Sequence, residues 1–317
     1  MPLGRIPKIR YERLSAWLLT IPALLGQALF GWIPVAFAFI VGFQRYFFVK
    51  DPVWVGTANF RDVFSDPLVL TAFKNTFEFA ALSIALTFVT PIFVSILLME
   101  MRRSVIRVMM VLWFIPVAST AGIAIWKYLY HPRVGLLNGI LTALHLPALK
   151  WLDDPNLAMI SLILPGFILF GPGLIYIAAL QSVPEELYEA ADLEGVGFIT
   201  KMRMVTLPRI RPIVAMMLVF SIIGALQTFE LPYILTGGGP GYATTTVVMH
   251  VFNMAFASYN LGKATALAIV LFFVIMAIVV LQRAIFPENI DESGDRLPGP
   301  LRRTLAALRR SSSLNES

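Results

Sequence analysis

The stretch from Pro184 to Pro212, PEELYEAADLEGVGFITKMRMVTLPRIRP, is the longest charge-dense island between the apolar segments of this chain. Its first half reads as a short amphipathic helix. Proline suits a first helical turn, and the Glu185 and Glu186 carboxylates complement the positive end of the helix dipole. Leu187, Tyr188, Ala190, Ala191 and Leu193 supply apolar positions, and Gly195 allows a turn that a β-carbon would penalise. A second short helix is predicted over Phe198 to Thr206, ending before Leu207-Pro208, with Pro208 and Pro212 shaping the start of the next apolar run. A connector lying on anionic lipid would be poorly served by Glu185, Glu186, Glu189, Asp192 and Glu194. An acidic helix, a glycine turn and then basic Lys201 and Arg203 suit a protein groove better. The small Ala190 and Ala191 are expected to let a partner's surface come close.

What lies on either side of this island is membrane-like. Of 317 residues, 58% are hydrophobic and 14% charged, with mean hydropathy +0.77, whereas a soluble domain carries about a quarter charged residues. A helix needs about 20 mostly apolar residues to cross a bilayer. Six uncharged runs meet or approach that length: Leu14–Gln44, Phe79–Met99, Val108–Trp126, Leu157–Pro184, Pro212–Phe229 and Ala264–Gln282. The expected architecture is therefore an all-α polytopic protein. A cytoplasmic segment, residues 1–13, leads into a six-span domain over 14–286 that contains the charged loop at about 184–212, and a cytoplasmic tail occupies 287–317. The basic start followed by an apolar run mimics a secretory leader, but the 31 residues from Leu14 to Gln44 exceed the roughly 7–15 of such a core and read as a retained first span.

Positive charge sets the expected orientation. Arg5, Lys8, Arg10 and Arg13 precede the first span; Arg102, Arg103 and Arg107 separate the second and third; Lys201, Arg203, Arg209 and Arg211 separate the fourth and fifth. Arg283, Arg296, Arg302, Arg303, Arg309 and Arg310 follow the sixth, leaving eight of the 25 Lys and Arg residues on the other side. By the positive-inside rule both termini and the 184–212 loop are expected in the cytoplasm. The same bias accounts for the net charge of +6 without nucleic acid. The tail beyond Pro287 is expected to be a short basic helix or a disordered extension.

Candidate chemistry is sparse. Zero cysteines exclude disulfides and thiolate metal sites, and His131, His145 and His250 lack metal-ligand spacing. No GxxxxGK[ST] occurs, so this chain should not bind ATP itself, and no Ser/His/Asp arrangement accompanies the spans. Polar residues within a span are the natural functional candidates. The fifth span carries Ser221, Gln227, Thr228 and Glu230, with Tyr233 just beyond, and Glu230 lies about 27 Å from Pro212, near the outer face. The competing role for Ser221, Gln227 and Thr228 is helix–helix packing, and for Glu230 pairing with a neighbouring subunit. Lys127 is expected to snorkel. The outer turn Thr236-Gly237-Gly238-Gly239-Pro240-Gly241 is flexible enough in composition to bend toward a cavity mouth.

The spacing EAA-x3-G-x9-[IV]-x-LP, carried by Glu189, Ala190, Ala191, Gly195, Val205, Leu207 and Pro208, resembles the cytoplasmic coupling motif of ABC importer permeases. The resemblance extends through GTANFRDVF, FKNTFEF, RVMMVLWFIPVAST, KYLYHPRVGLLN, IYIAALQSVPEELYEAADLEG and LTGGGPGYATTT, roughly Ala16 to Ile285. These are similar to carbohydrate permeases of the maltose, glycerol-3-phosphate and oligosaccharide type. Departures are Glu194 where Asp is frequent, Val196 for Ala, Met202 for Phe, Val205 for Ile, and Pro165-Gly166 where many relatives have tryptophan. The resemblance implies a type I importer (MetI-like) fold in the prokaryotic inner membrane. It implies ATPase coupling through Glu189, Ala190, Ala191, Glu194, Gly195, Leu207 and Pro208. It also implies a sugar pathway lined by Ser221, Gln227 and Thr228, with Phe167, Phe170 and Tyr176 as possible sugar-packing rings. The implied partners are a second homologous permease, two ATP-binding subunits that hold ATP and Mg, an extracytoplasmic solute-binding protein and the bilayer; no cofactor is implied in this chain. A permease for another solute class and an ion-coupled secondary transporter are the alternatives.

Overall fold

Helix length against bilayer thickness explains the frame. The computed structural model describes residues 8–48, 50–114, 120–168 and 173–285. Among them, four helices are long and apolar enough to cross a hydrocarbon core of about 30 Å: Trp17–Gly42, Pro67–Met99, Phe198–Leu235 and Leu261–Ile285. They answer to the first, second, fifth and sixth apolar runs. The third run is represented by Arg103–Phe114 and Thr120–Leu129, and the fourth by Pro155–Ile168 and Gly173–Gln181. The residues joining each pair, Phe170 among them, lie outside the described set, as do residues 1–7 and the 287–317 tail. Large apolar side chains such as Leu19, Phe30 and Phe37 stand exposed along the first helix, the surface expected of a lipid-facing span.

Two boundaries differ from the sequence reading. The second helix begins at Pro67 rather than Phe79, because Lys74 and Glu78 interrupt the apolar run without interrupting the helix. Asp66 starts it, its Oδ1 accepting the Leu68 N–H at 2.8 Å. The helix predicted to stop before Leu207-Pro208 does not stop. Phe198–Lys201 passes through a wide π-helical turn, Met202–Thr206, directly into Leu207–Leu226. The Leu207 N–H reaches back to Met202 O, and Pro208 follows directly after this wide turn.

The chain divides into two units. In the first, Met1–Val69 with His250–Phe272, the first span ends at Gly42 and is followed by an antiparallel hairpin, Gln44–Phe47 with Lys50–Trp54, the one departure from an all-helical expectation among the described residues. Buried Asn59, on the helix Ala58–Ser65, donates to Gly42 O at 3.0 Å and Gln44 O at 2.8 Å and so fixes the turn out of the span. Lys263 pairs with Asp62 at 2.8 Å, and its ammonium hydrogen bond holds that carboxyl below the usual aspartate value.

In the second unit, Leu70–Met249 with the chain from Phe273, the helix Pro67–Met99 packs with Gly173–Gln181 and Leu207–Leu226. Phe88, Ile92, Ile96, Tyr176, Ala179, Leu180 and Ile210 form the shared core. In lipid such packing is held by close van der Waals fit rather than by exclusion of water. Gly166 fits this scheme: a β-carbon there would stand 3.1 Å from Thr87 Cγ2, so the pair that replaces the expected tryptophan permits a close approach to the second helix. Toward the other end, Asn138 organises the loop between the third and fourth runs. Its amide donates to Pro132 O and Leu149 O, both at 2.9 Å, and its Oδ1 accepts from Leu149 N at 3.0 Å and Trp151 Nε1 at 2.9 Å.

Candidate functional site

The charged loop folds as a self-supporting helix–turn–helix. The first helix, Glu185–Leu193, follows Pro184 and carries Glu185 and Glu186 in its first turn. It ends in a Schellman arrangement: the Gly195 N–H donates to Asp192 O at 3.0 Å and the Val196 N–H to Ala191 O at 3.1 Å. Gly195 has φ 67°, the left-handed conformation that its lack of a β-carbon makes cheap. No atom lies within 4 Å of where a β-carbon would be, so the demand is on backbone conformation, not on space. Beyond the turn, Lys201 forms an ion pair with Asp192, and the Tyr188 hydroxyl donates to Thr206 Oγ1 at 3.3 Å.

The two alanines do not face outward. Ala190 and Ala191 are each 1% exposed, and Ala191 packs with Leu187 and Val205, flanked by Val183, Tyr188 and Val196. Their small size lets this helix lie close on its own chain, which corrects the expectation that they offer room to a partner. Of the other residues assigned to coupling, Glu189, Glu194, Gly195 and Pro208 are exposed, while Leu207 is half-buried against the transmembrane core. Sequence reasoning missed the apolar part of the outward face, where Leu193 is 76% and Ile199 61% exposed, with Phe198 and Met204 also uncovered. The signal was present: at 100° per residue Leu193 falls out of phase with Leu187, Ala190 and Ala191. Beside the loop opens a cavity of about 950 Å³ whose lining includes Glu100, Arg107, Gln181, Tyr188, Lys201 and Thr206.

At the far end of the same long helix, the regular backbone breaks. Leu207–Leu226 stops at Gln227, which has φ −101° and ψ 13°, and helix resumes at Glu230–Leu235. Gln227 is exposed and Thr228 half-buried, and the Thr228 carbonyl, freed by the break, accepts from Thr246 Oγ1 at 2.9 Å. Ser221 lies within the helix, half-buried, below the break. Glu230 and Tyr233 are exposed, and the Tyr233 ring stacks on Phe229 with centroids 4.9 Å apart. The structure thus brings Gln227, Thr228, Glu230 and Tyr233 to one short segment and leaves Ser221 apart from them.

Two further expectations change. Tyr176 is fully buried, edge-on to Phe88 at 6.2 Å, so it is a core residue and not a ring lining a pathway; Phe167 is half-buried. The glycine-rich turn after Leu235 is not slack. Thr236 and Thr244 hydroxyls meet at 2.6 Å, Thr244 Oγ1 donates to Gly239 O at 2.8 Å, and Thr245 Oγ1 donates to Gly238 O at 3.0 Å. Lys127 donates to Ile234 O at 2.7 Å, a cation at a helix C-terminus, in place of free snorkelling.

A loop built to present a face, and a polar break at the opposite end of one helix, are features of a transport subunit. Comparison with known proteins agrees. The chain matches the family described as "Binding-protein-dependent transport system inner membrane component" over residues 82–289. It is 31% identical over 296 residues to the "Probable ABC transporter permease protein YurN" of Bacillus subtilis, covering 90% of this chain and 100% of that protein. It is 29% identical over 283 residues to the "Trehalose/maltose transport system permease protein MalF" of Thermococcus litoralis, covering 86% and 94%. The fold is shared with a chain of a bacterial ABC transporter involved in the import of the acidic polysaccharide alginate, at TM-score 0.76 and 23% identity, covering 90% of this chain and 100% of that one. The chain belongs to the family of binding-protein-dependent transport system inner membrane components.

Proposed function

We propose that this chain is the permease subunit of an ATP-driven importer for a sugar or sugar-like solute, delivered by an extracytoplasmic binding protein. Six helices cross the membrane, both termini face the cytoplasm, and a second, similar permease completes the pathway. Two cytoplasmic ATPase subunits bind and hydrolyse ATP with Mg, so this chain is the translocating partner and not itself an enzyme. The observation that carries the reading is the loop at 184–212: an internally packed helix pair whose outward face combines Glu189 and Glu194 with the uncovered Leu193 and Ile199. Exposed apolar side chains on a charged loop mark a protein-docking surface.

On this reading Glu189, Glu194 and Gly195 meet the ATPase directly, while Ala190, Ala191 and Leu207 seat the loop on the spans. ATP-driven closure of the ATPase pair moves the docked loop, and the spans turn around a central cavity. The break at Gln227–Phe229 supplies the solute contacts. Non-helical backbone at membrane depth is tolerated where it lines a wet cavity, and the neutral amide and hydroxyl of Gln227 and Thr228 suit sugar hydroxyls without requiring a charged ligand. The sugar class is supported by the trehalose/maltose relative.

The test is uptake of labelled sugar into vesicles holding this chain with its partner permease and ATPases. Uptake that requires ATP and binding protein, and persists when ionophores collapse ion gradients, is the expected result. Uptake that follows a proton or sodium gradient without ATP would refute it.

A further inference from the structure

The first helix of the charged loop turns three faces to its surroundings, and one of them lines the cavity. At 3.6 residues per turn, Leu187, Ala190 and Ala191 share a face that is buried against the chain. Glu189 and Leu193 share a second, exposed face. Glu185, Tyr188 and Asp192, spaced i, i+3, i+7, share a third, and all three line the cavity of about 950 Å³. Its other wall is apolar and comes from the ends of the spans and the wide turn: Ile96, Met99, Ile106, Met110, Leu180 and Met202. Ile96, Ile106 and Leu180 are buried while Met99 is exposed, so this wall runs from the packed interior out to the open surface. The cavity therefore lies where the spans meet the membrane surface, with one apolar side and one charged side.

On the charged side, most groups are already matched. Lys201 and Asp192 pair with each other, and Glu185 stands in a first helical turn, where its charge meets the helix dipole. Glu100 and Arg107 are different. They line the same cavity, yet among the described residues they form no ion pair, either with each other or with a third group. We infer that the cavity holds a phospholipid with a primary-ammonium headgroup, phosphatidylethanolamine being the simplest, its phosphate on Arg107, its ammonium on Glu100 and its acyl chain along the methionine-rich wall. A guanidinium fork suits phosphate oxygens. A carboxylate gains charge-assisted hydrogen bonds from a primary ammonium, whose N–H groups a trimethylated headgroup lacks and a glycerol headgroup replaces with neutral hydroxyls. Methionine adapts its shape to a flexible chain, whereas a wholly polar ligand would leave the apolar wall in water. The inference needs the loop end of the spans to lie at the bilayer surface, and depends on neither the solute nor the ATPase.

The complex of this chain with its partner permease and ATPases, purified in mild detergent, is offered equal amounts of phosphatidylethanolamine, phosphatidylcholine and phosphatidylglycerol with identical chains. Native mass spectrometry then counts the lipids retained, and comparison with variants of this chain separates the cavity from lipid bound elsewhere. Glu100 and Arg107 stand exposed at the rim, so each contact is solvent-screened and should change affinity by about two- to fivefold. Glu100→Gln should lower retention of phosphatidylethanolamine by that factor and leave phosphatidylglycerol unchanged. Arg107→Ala should lower all three lipids together, because each carries the phosphate. Both substitutions fall on exposed side chains, so the melting midpoint should hold. Unchanged phosphatidylethanolamine in Glu100→Gln, or an equal fall for all three lipids, would overturn the inference. Displacement of the lipid by an equal concentration of soluble glycerophosphoethanolamine would also overturn it, leaving a site for the headgroup alone. Lipid retained by the permease pair but expelled from the full complex would overturn it too, giving the cavity to the ATPase. None of these outcomes touches ATP-dependent sugar uptake, which tests the proposed function separately.

Discussion

Substitution at Gly195 tests whether the shape of the charged loop matters, and the structure sets the size of the effect. A β-carbon at this site meets nothing within 4 Å, so Gly195→Ala creates no clash. What it introduces is a side chain at φ 67°, a conformation that costs an L-residue roughly 1–2 kcal/mol. If the backbone relaxes to avoid that cost, the bonds from Gly195 N–H to Asp192 O and from Val196 N–H to Ala191 O are lost, each worth about 0.5–1.5 kcal/mol. The second route costs about 1–3 kcal/mol, so the cheaper of the two weakens the native turn by about 1–2 kcal/mol, or roughly five- to thirtyfold in its equilibrium. Gly195→Asn should suffer less, since asparagine enters the left-handed region more readily. Gly195→Pro should suffer most, because it removes the N–H and fixes φ near −65°. Co-purification of the ATPase with each variant, alongside sugar uptake, should rank unaltered protein, Asn, Ala, Pro in falling order, while pairing with the second permease persists. Full ATPase retention and uptake by Gly195→Pro would refute the argument, leaving the loop a mere connector.

Three other outcomes are expected. In this cysteine-free chain, a single cysteine at exposed Val134 should label from outside intact cells and one at Ser182 should not; the reverse pattern would invert the topology. Gln227→Leu and Thr228→Leu should each weaken solute affinity about two- to tenfold, the worth of one neutral hydrogen bond, with basal ATPase activity preserved; unchanged transport would assign both to packing. Asn138→Ala strips four bonds from a buried hub and, at about 0.5–1.5 kcal/mol a bond, should lower stability by roughly 2–6 kcal/mol, seen as a reduced melting midpoint of the purified complex; an unchanged midpoint would show that the loop tolerates its loss.

Much of this was legible in the chain itself because apolar length is a direct physical requirement of a bilayer. The first, second, fifth and sixth runs emerge as long helices, and the turn at Gly195 emerges where a left-handed residue was expected. Boundaries were harder, since Lys74 and Glu78 interrupt hydropathy without breaking the second helix, and Pro208 reads as a stop although its position after a wide turn makes it harmless. The burial of Ala190 and Ala191 was misread for a related reason. Smallness says that something approaches closely, but only tertiary structure tells whether it is a partner or the chain's own Val205. Tyr176 shows the same limit: an aromatic ring in a span has no sequence mark separating core from cavity.

The uninterrupted passage from Phe198 to Leu226 has a geometric consequence. Loop and span share one rod, about 43 Å long at 1.5 Å per residue, with the Gly195 turn at one end and the polar break at the other. Pivoted at its loop end, such a rod converts a tilt of about 10° into a sweep of roughly 7 Å at Gln227, given that length. A displacement of that size exceeds the width of a sugar hydroxyl's hydrogen bond more than twofold. On the orientation proposed above, small angular work done at the cytoplasmic surface would therefore reach the contacts at the opposite end.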